Sequence, residues 1–366
     1  MTPRQAEALR LYRETGSKTE TARRLGVDIS NLSKMLLKAE ASERAEAEEP
    51  DRVKEALIGA EGADAVWLKS KGASILWRRP KAAQDPMGIL DALKAGLGEL
   101  PRAAPMEQPD GPSAFLTVFP VTDLHVGMLA DAEEGGADWD AKISGRVFAD
   151  AFDRLVSVSP DAGTAILAQL GDLLHIDDQR NVTPASHHQL DADGRYFKVL
   201  RRGVATMKAA IDALRARYPK VIYRGSRGNH DEHAHHAVTL ALAEHYRDTP
   251  GVQIVQNAGE VYVHQFGLNM IVTHHGDRLR PEQLAHYVAA DHAAIWGRTR
   301  FRTAYSGHIH QFQVKQVGGL RCESVGTIIP RDGYAASRFP QGDRALISVT
   351  HHRDLGKVAS ARVGIA

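Results

Sequence analysis

The stretch RGNHDEHAH, Arg227–His235, decides how this chain is interpreted. Three histidines and two acids lie in nine residues, two residues after the apolar run KVIYR. Asn229 sits next to His230, although an amide is a weak ligand for most metals. An amide oxygen adds no charge, so it suits a cationic site that must attract an anion. Whether such a site exists depends on the other polar clusters of the chain.

The composition indicates a protein of two or three domains with a sizeable core. The chain has 366 residues, of which 43% are hydrophobic, and a net charge of +1. The N-terminus carries no apolar signal region and no stretch reaches ~18 apolar residues, so neither secretion nor a membrane span is expected. The single cysteine, Cys322, excludes an internal disulfide and a thiolate zinc cluster, which fits a reducing, cytoplasmic location. The 18 histidines stand out.

From Phe115 onward, short apolar runs alternate at first with helical stretches near 141–157, 195–217 and 234–247. This texture predicts one α/β domain. Polar clusters sit at the ends of the runs, where open α/β sheets place their ligands. The clusters are VTDLHVG with Asp123 and His125, LGDLLH with Asp172, RGNHDE with Asn229 and His230, VTHHGD with His274 and His275, and SGHIHQ with His308 and His310. If these segments stay extended, residues two apart point to the same side and converge.

These clusters, in this order, resemble the calcineurin-like metallophosphoesterases, in particular the DNA-repair exonuclease branch. The resemblance covers about Phe115 to Val363 and is carried by D-x-H, G-D, G-N-H-D and G-H-x-H. It implies an α/β fold of two packed mixed β-sheets flanked by helices, a four-layer sandwich. It also implies hydrolysis of phosphodiester bonds by two divalent ions. Nitrogen and carboxylate ligands suit Mn, Fe or Zn better than Ca, and Mn is the expected ion, with Fe, Zn or Mg as alternatives.

The resemblance assigns a role to each matching position. One ion would be held by Asp123, His125, Asp172 and His310, and the other by Asp172, Asn229, His275 and His308. Asp172 would bridge the two. His275 is preferred to His274 because it precedes Gly276-Asp277. His230 would stay off the metal as a general acid, with Asp231 accepting a hydrogen bond from its ring. His175, in G-D-x-x-H, would lie near the scissile phosphate.

Between His175 and Arg195 lies a long polar segment, 176–194. It is either a substrate-shaping loop or a disordered surface insertion. As a substrate-shaping loop it would offer Arg180, Asn181, His187 and His188. Three arginines near apolar runs are either phosphate contacts or ordinary surface residues: Arg278, Arg280 and Arg331.

Residues 1–44 resemble a helix-turn-helix domain, with Gly16 ending one helix and Gly26 turning into the last. Carried over, Asn31, Ser33 and Lys34 would face the major groove, and Arg23 and Arg24 would lie near phosphate. A plain helical hairpin is the alternative. We expect a linker over 45–112, containing a basic and aromatic hairpin at 66–81, and a catalytic domain over 113–366. The arrangement resembles proteins encoded by phages or prophages.

DNA is therefore the expected partner and substrate, with no membrane partner. Dimers are common in related nucleases, so a homodimer is one expected assembly. The first alternative is a small-molecule or nucleotide phosphoesterase with an accessory N-terminal domain. The second is a DNA-binding regulator with an inactive phosphoesterase fold, against which the intact ligand set argues.

Overall fold

The structure is a computed structural model that describes residues 2–40, 65–70, 73–78, 103–104, 106, 111–257, 259–337 and 342–365. The chain divides into two compact units, Met1–Leu90 and Asp91–Ala366. The predicted boundary after residue 44 and most of the predicted linker lie outside the described residues. The boundary between 112 and 113 stays a prediction, and the first described strand of the second unit begins just after it.

The first unit opens with three helices: α1 Pro3–Thr15, α2 Lys18–Leu25 and α3 over 29–40. Gly16 and Gly26 end α1 and α2 at φ 61° and 63°, a left-handed conformation that suits glycine. The Ser17 side chain accepts a hydrogen bond from the Glu20 N–H and so caps α2. The helices share a small core, formed by Ala8, Leu9, Ala22, Leu32, Leu36 and Ala39. The predicted helices and breaks are confirmed.

The same unit contains an antiparallel hairpin of β1 Ala65–Ser70 and β2 Ala73–Arg78. The pairing of Ser70 with Ala73 confirms the predicted hairpin. The predicted turn residues between them, 71 and 72, lie outside the described residues.

The second unit contains two mixed sheets. The first has the order β13-β12-β3-β4-β5-β6, in which β3 to β6 are parallel and β12 and β13 antiparallel. Its strands are β3 Phe115–Val121, β4 Thr164–Gln169, β5 Lys220–Gly225, β6 Val252–Ile254, β12 Ala345–His352 and β13 Gly356–Gly364. The second has the order β10-β11-β9-β8-β7. Its strands are β7 Tyr262–Phe266, β8 Asn269–Thr273, β9 Phe301–Ser306, β10 Gln313–Val317 and β11 Leu320–Ser324.

Helices cover the outer face of each sheet. They are α5 Ala141–Val158, α6 Tyr196–Arg215, α7 Ala234–His245, α8 Pro281–Asp291 and α9 Ala293–Arg298. Two four-residue helices, α4 Ala132–Gly135 and α10 Gly333–Ala336, pack on each other. The predicted helical stretches correspond to α5, α6 and α7.

Alternation along the strands explains the layers. In β4, Ala165 and Leu167 face the core shared with α5, α6 and α7, whereas Ile166 and Ala168 face the second sheet. The second sheet packs its other face on α8 and α9 through residues such as Val272. The predicted fold class, two packed mixed sheets flanked by helices, is confirmed.

The free Cys322 is buried in the second sheet. Within the described parts of the chain, every helix is too short or too polar to cross a bilayer.

Candidate metal centre

The predicted ligands follow strands from both sheets, but their backbones are not extended. Asp123 and His125 follow β3, Asp172 follows β4, and His308 and His310 follow β9. All five have positive φ, between 40° and 69°. The expectation that extended spacing brings these side chains together is therefore wrong. Each of these segments turns through a left-handed residue just past its strand, and such strained positions cluster at functional sites.

One group consists of Asp123, His125 and His310, with ligand atoms all within 4.8 Å of one another. His310 Nε2 lies 3.2 Å from Asp123 Oδ1. The other carboxylate oxygen of Asp123 accepts hydrogen bonds from the Thr122 hydroxyl and the His308 N–H. Oδ1 is buried and has no hydrogen-bond donor among the described residues. The group thus presents a carboxylate oxygen and two imidazoles, which fit a divalent cation.

A second group consists of Asp172, His275 and His308, again within 4.8 Å. His275 Nε2 lies 3.3 Å from Asp172 Oδ2 and 3.0 Å from Asn229 Oδ1. The amide oxygen of Asn229 therefore belongs to the same cluster. The structure brings His275 to this point and packs His274 beside Tyr305, with its backbone N–H bonded to the Tyr305 carbonyl.

Asp172 connects the two groups through one oxygen. Its Oδ2 is 3.3 Å from His275 Nε2 and 3.9 Å from His125 Nε2. Its Oδ1 accepts the His230 N–H at 2.8 Å, which fixes the carboxylate in this orientation. A carboxylate held in this way is placed to bridge two cations.

Hydrogen bonds on the far side of the rings set their orientation. His275 Nδ1 donates to the Leu170 carbonyl at 2.8 Å, which leaves Nε2 as the atom facing Asp172. His125 Nδ1 lies 3.2 Å from His175 Nδ1, so Nε2 of His125 faces the cluster. Metal-binding histidines are commonly oriented by such partners.

Tight packing around Asp123 requires glycine at position 307. A Cβ there would lie 1.7 Å from the Thr122 hydroxyl oxygen and 2.5 Å from Asp123 Oδ2. The glycine before His308 thus allows the loop after β9 to close on the loop after β3.

Charge coupling within the cluster is strong. Burial opposes ionisation of Asp123 and Asp172, but His310 and His275 respectively lower the pKa of each carboxyl below its ordinary value. Burial likewise opposes the charged form of His275, yet attraction from Asp172 raises its pKa to about 10. Burial and the neighbouring His230 lower the pKa of His125 well below its usual range. The ionised Asp123 and Asp172 therefore stabilise positive charge inside the cluster.

His230 lies beside the cluster and lines the cleft above it. Its Nδ1 lies 3.0 Å from the His175 carbonyl, to which it donates. The predicted hydrogen bond from this ring to Asp231 is wrong. The Asp231 carboxylate instead accepts the backbone N–H groups of Leu174 and Gly228, at 3.1 and 2.9 Å. Burial, with nearby Asp172, raises the pKa of Asp231 well above its ordinary value, so it supports the loops rather than a cationic ring.

His175 is only 1% exposed, beneath the rings of His125 and His230. The expected contact with a scissile phosphate does not fit this position. The segment after Asp172 runs beside the loop after β3, with the His175 N–H bonded to the Val126 carbonyl, and this directs the ring inward. Burial and the neighbouring His230 lower its pKa to about 3. The residue orients the two rings above it.

A cleft of about 660 Å³ opens over the cluster and is lined by His125, Asp172, Asn229, His308 and His310. Arg331 also lines it, whereas Arg278 pairs with Glu260. Of the side of the cleft formed by 327–332, sequence reasoning singled out only Arg331, because VGTIIPRDG is mostly apolar and resembles an ordinary strand extension.

No protein-family model and no curated protein sequence matches this chain. Several solved structures are weakly similar. They include a predicted phosphoesterase from Streptococcus pneumoniae TIGR4, with 13% identity, a TM-score of 0.29, and coverage of 69% of this chain and 100% of that one. Vps29 from Entamoeba histolytica complexed with zinc has 16% identity, a TM-score of 0.28, and coverage of 68% and 98%. Yfce, a phosphoesterase from E. coli, has 14% identity, a TM-score of 0.32, and coverage of 67% and 98%. At these values the similarity assigns no activity to this chain.

Proposed function

We propose that this chain is a dinuclear-metal-dependent phosphodiesterase that hydrolyses DNA. The observation that carries the proposal is the single Asp172 oxygen, Oδ2, which lies within 4 Å of a ligand nitrogen from each group. A shared carboxylate between two nitrogen-rich groups is the arrangement that a two-metal hydrolase needs.

Each of the two groups would hold one metal ion. Asp123, His125, Asp172 and His310 would hold one ion, and Asp172, Asn229, His275 and His308 the other. Mn is the preferred metal, with Fe, Zn or Mg as alternatives, because imidazole and carboxylate ligands suit these ions. Bound there, two divalent ions supply charge neutralisation for phosphoryl oxygens and a more acidic water.

His230 is placed to hold the proton for the leaving oxygen. Its Nδ1 is committed to the His175 carbonyl, so Nε2 is the atom that exchanges a proton. The ring borders the cleft next to Asp172 and belongs to neither proposed ligand group, although it forms a third close trio with His125 and His175. Protonation of the leaving group by a positioned histidine is general acid catalysis.

DNA is proposed as the substrate because the first unit has three short helices with an exposed Lys34 and Asn31 on the third. In a helix-turn-helix reading, this helix would enter the major groove. Arg23 and Arg24, the expected phosphate contacts, both pair with Glu20. These are exposed pairs of small strength, which a phosphate can replace.

The second candidate is a nucleotide or small-molecule phosphoesterase. The cleft volume of about 660 Å³ favours it, because this is the size of ordinary small-ligand sites. Activity on nucleotides that exceeds activity on oligonucleotides would select this candidate.

Hydrolysis of bis-p-nitrophenyl phosphate with Mn tests the two-metal assignment. Asp172→Asn and His308→Ala should each lose most turnover and most bound metal, because the first removes the negative charge shared by both ions and the second removes a ligand nitrogen. His286→Ala, an exposed histidine on α8, serves as the control and should behave as the native chain. Full activity of Asp172→Asn would show that the assignment is wrong.

A further inference from the structure

The polar segment after His175 forms an ordered turn. We call residues 181–190 the cleft loop. Val182 pairs with Gln189 in an antiparallel bridge, and Leu190 N–H donates to the Asn181 carbonyl at 2.9 Å. The Thr183 hydroxyl lies 2.7 Å from the Ser186 hydroxyl and accepts the His188 N–H at 2.9 Å. These bonds give the loop a defined shape, so it is not a disordered insertion.

The cleft loop is fastened to the candidate metal centre. Residues 191–193, which follow it, bond to the segment 127–129, which follows His125. The Leu129 N–H donates to the Asp191 carbonyl at 3.0 Å, and the Asp193 N–H donates to the Gly127 carbonyl at 2.8 Å. Leu190 is buried in the main core. The loop is therefore held at a fixed place beside the ligand His125.

Three residues of the cleft loop line the cleft: Thr183, Ser186 and His188. The sequence offered four candidate residues in this segment, and all four are described. His188 lines the cleft, whereas Arg180, Asn181 and His187 are not among the lining residues. Arg180 instead pairs with Asp178 at 2.6 Å. Away from the loop, Ile329, Pro330 and Arg331 add to the lining, together with Met128 and Ile309.

The lining therefore places apolar surface next to the candidate metal centre, where a phosphate would bind. Ile309 is 43% exposed and offers contact area that a metal-bound phosphate alone would not use, while the buried Met128, Ile329 and Pro330 form the apolar wall of the cleft. A nucleobase and sugar provide matching apolar and polar surface, and the volume of about 660 Å³ lies within the range of small-ligand sites. A base that is paired and stacked in a duplex cannot enter such a site without leaving the stack.

We propose that the cleft loop makes this site selective for an unpaired nucleotide next to the scissile phosphate. This rests on the proposed function. Single strands and unpaired tails would be cleaved, and the paired interior of a duplex would be protected. The selectivity arises because a paired base must first leave its partner and its stack, whereas an unpaired base enters without that cost.

The test uses the full chain with Mn and one labelled oligonucleotide in three forms: single strand, blunt duplex, and duplex with a single-stranded tail. Bis-p-nitrophenyl phosphate is assayed in parallel. The main variant replaces residues 183–188 with Asn-Gly, a two-residue connection that suits the bridged pair Val182 and Gln189. His188→Ala is a milder variant, and Arg180→Ala is the matched control. Thermal melting establishes that each variant is folded.

For the native chain we expect the single strand and the tail to be cleaved at least about tenfold faster than paired DNA. The shortened loop should lower that ratio severalfold, His188→Ala should lower it less, and Arg180→Ala should leave it unchanged. If the native chain hydrolyses the small diester but cleaves paired and unpaired DNA equally, the selectivity inference is overturned and the proposed function stands. An unchanged ratio in the folded shortened-loop and His188→Ala variants would overturn the selectivity inference as well. If the native chain does not hydrolyse bis-p-nitrophenyl phosphate, the proposed function itself is overturned.

Discussion

At the scale of single residues, the candidate centre depends on side chains held in strained backbone conformations. Five of its proposed ligands have positive φ, a cost of about 1–3 kcal/mol each that the surrounding structure must offset. Hydrogen bonds to these same residues hold them, for instance the Thr327 hydroxyl donating to the Asp123 carbonyl at 2.6 Å. The ligand geometry is therefore set before any metal binds.

His230→Ala separates proton transfer from metal binding. We expect metal content to match the native chain, because His230 belongs to neither proposed ligand group and its Nδ1, in the trio with His125 and His175, is bonded to the His175 carbonyl. Turnover of a diester with a poor leaving group should fall by ~10²–10⁴-fold, the usual contribution of a general acid. Metal content and turnover are measured on the same sample, with His286→Ala as the control. An equal loss of both would make His230 a ligand.

At the scale of elements, Asp177 ties the segment after β4 to the start of α7. Its carboxylate accepts the Ala234 N–H at 2.7 Å and the His233 N–H at 3.0 Å, so it caps a helix from a distant part of the chain. Asp177→Ala should lower the free energy of unfolding by ~1–2 kcal/mol, because these N–H groups lose their acceptor.

Urea unfolding measures this cost. Asp177→Asn keeps an acceptor oxygen and should lose less. Asp178→Ala removes the exposed ion pair with Arg180 and the acceptor of the Arg180 N–H, and should cost less stability than Asp177→Ala because both bonds lie at the surface. Equal effects at 177 and 178 would argue against the capping role.

The elements also show what the sequence could predict. The apolar runs TAILAQL, KVIYR and NMIVT became β4, β5 and β8, because uninterrupted apolar runs signal buried strands. Strand β9, FRTAYS, is mixed in polarity and carries no such signal, and neither do β10 and β13, which lie at sheet edges. The convergence of the proposed ligands was predictable from motif order. Their left-handed backbone, the inward ring of His175 and the partners of Asp231 depend on tertiary contacts that spacing does not encode.

At the scale of the whole molecule, the two compact units predict separable activities. Deletion of residues 1–90 removes the helical unit and leaves both sheets with all proposed ligands. Hydrolysis of the small diester should remain near the native rate. DNA affinity should fall roughly tenfold at low salt, and its dependence on salt should become shallower as basic contacts are lost.

Lys34→Glu in the full chain provides the matched point variant, since it reverses one exposed charge on α3. Fluorescence anisotropy with duplex DNA over a range of salt concentrations measures the affinity and its salt dependence for both variants. Unchanged affinity after deletion of 1–90 would contradict the helix-turn-helix prediction. A homodimer stays a prediction, which sedimentation of the full chain would test.

The most direct measurement is anomalous diffraction from crystals of the full chain grown with Mn²⁺. The account predicts two peaks ~3.5–4 Å apart, both in contact with Asp172, with His310 on one and His275 on the other. A single peak, or two peaks that do not share Asp172, would contradict it.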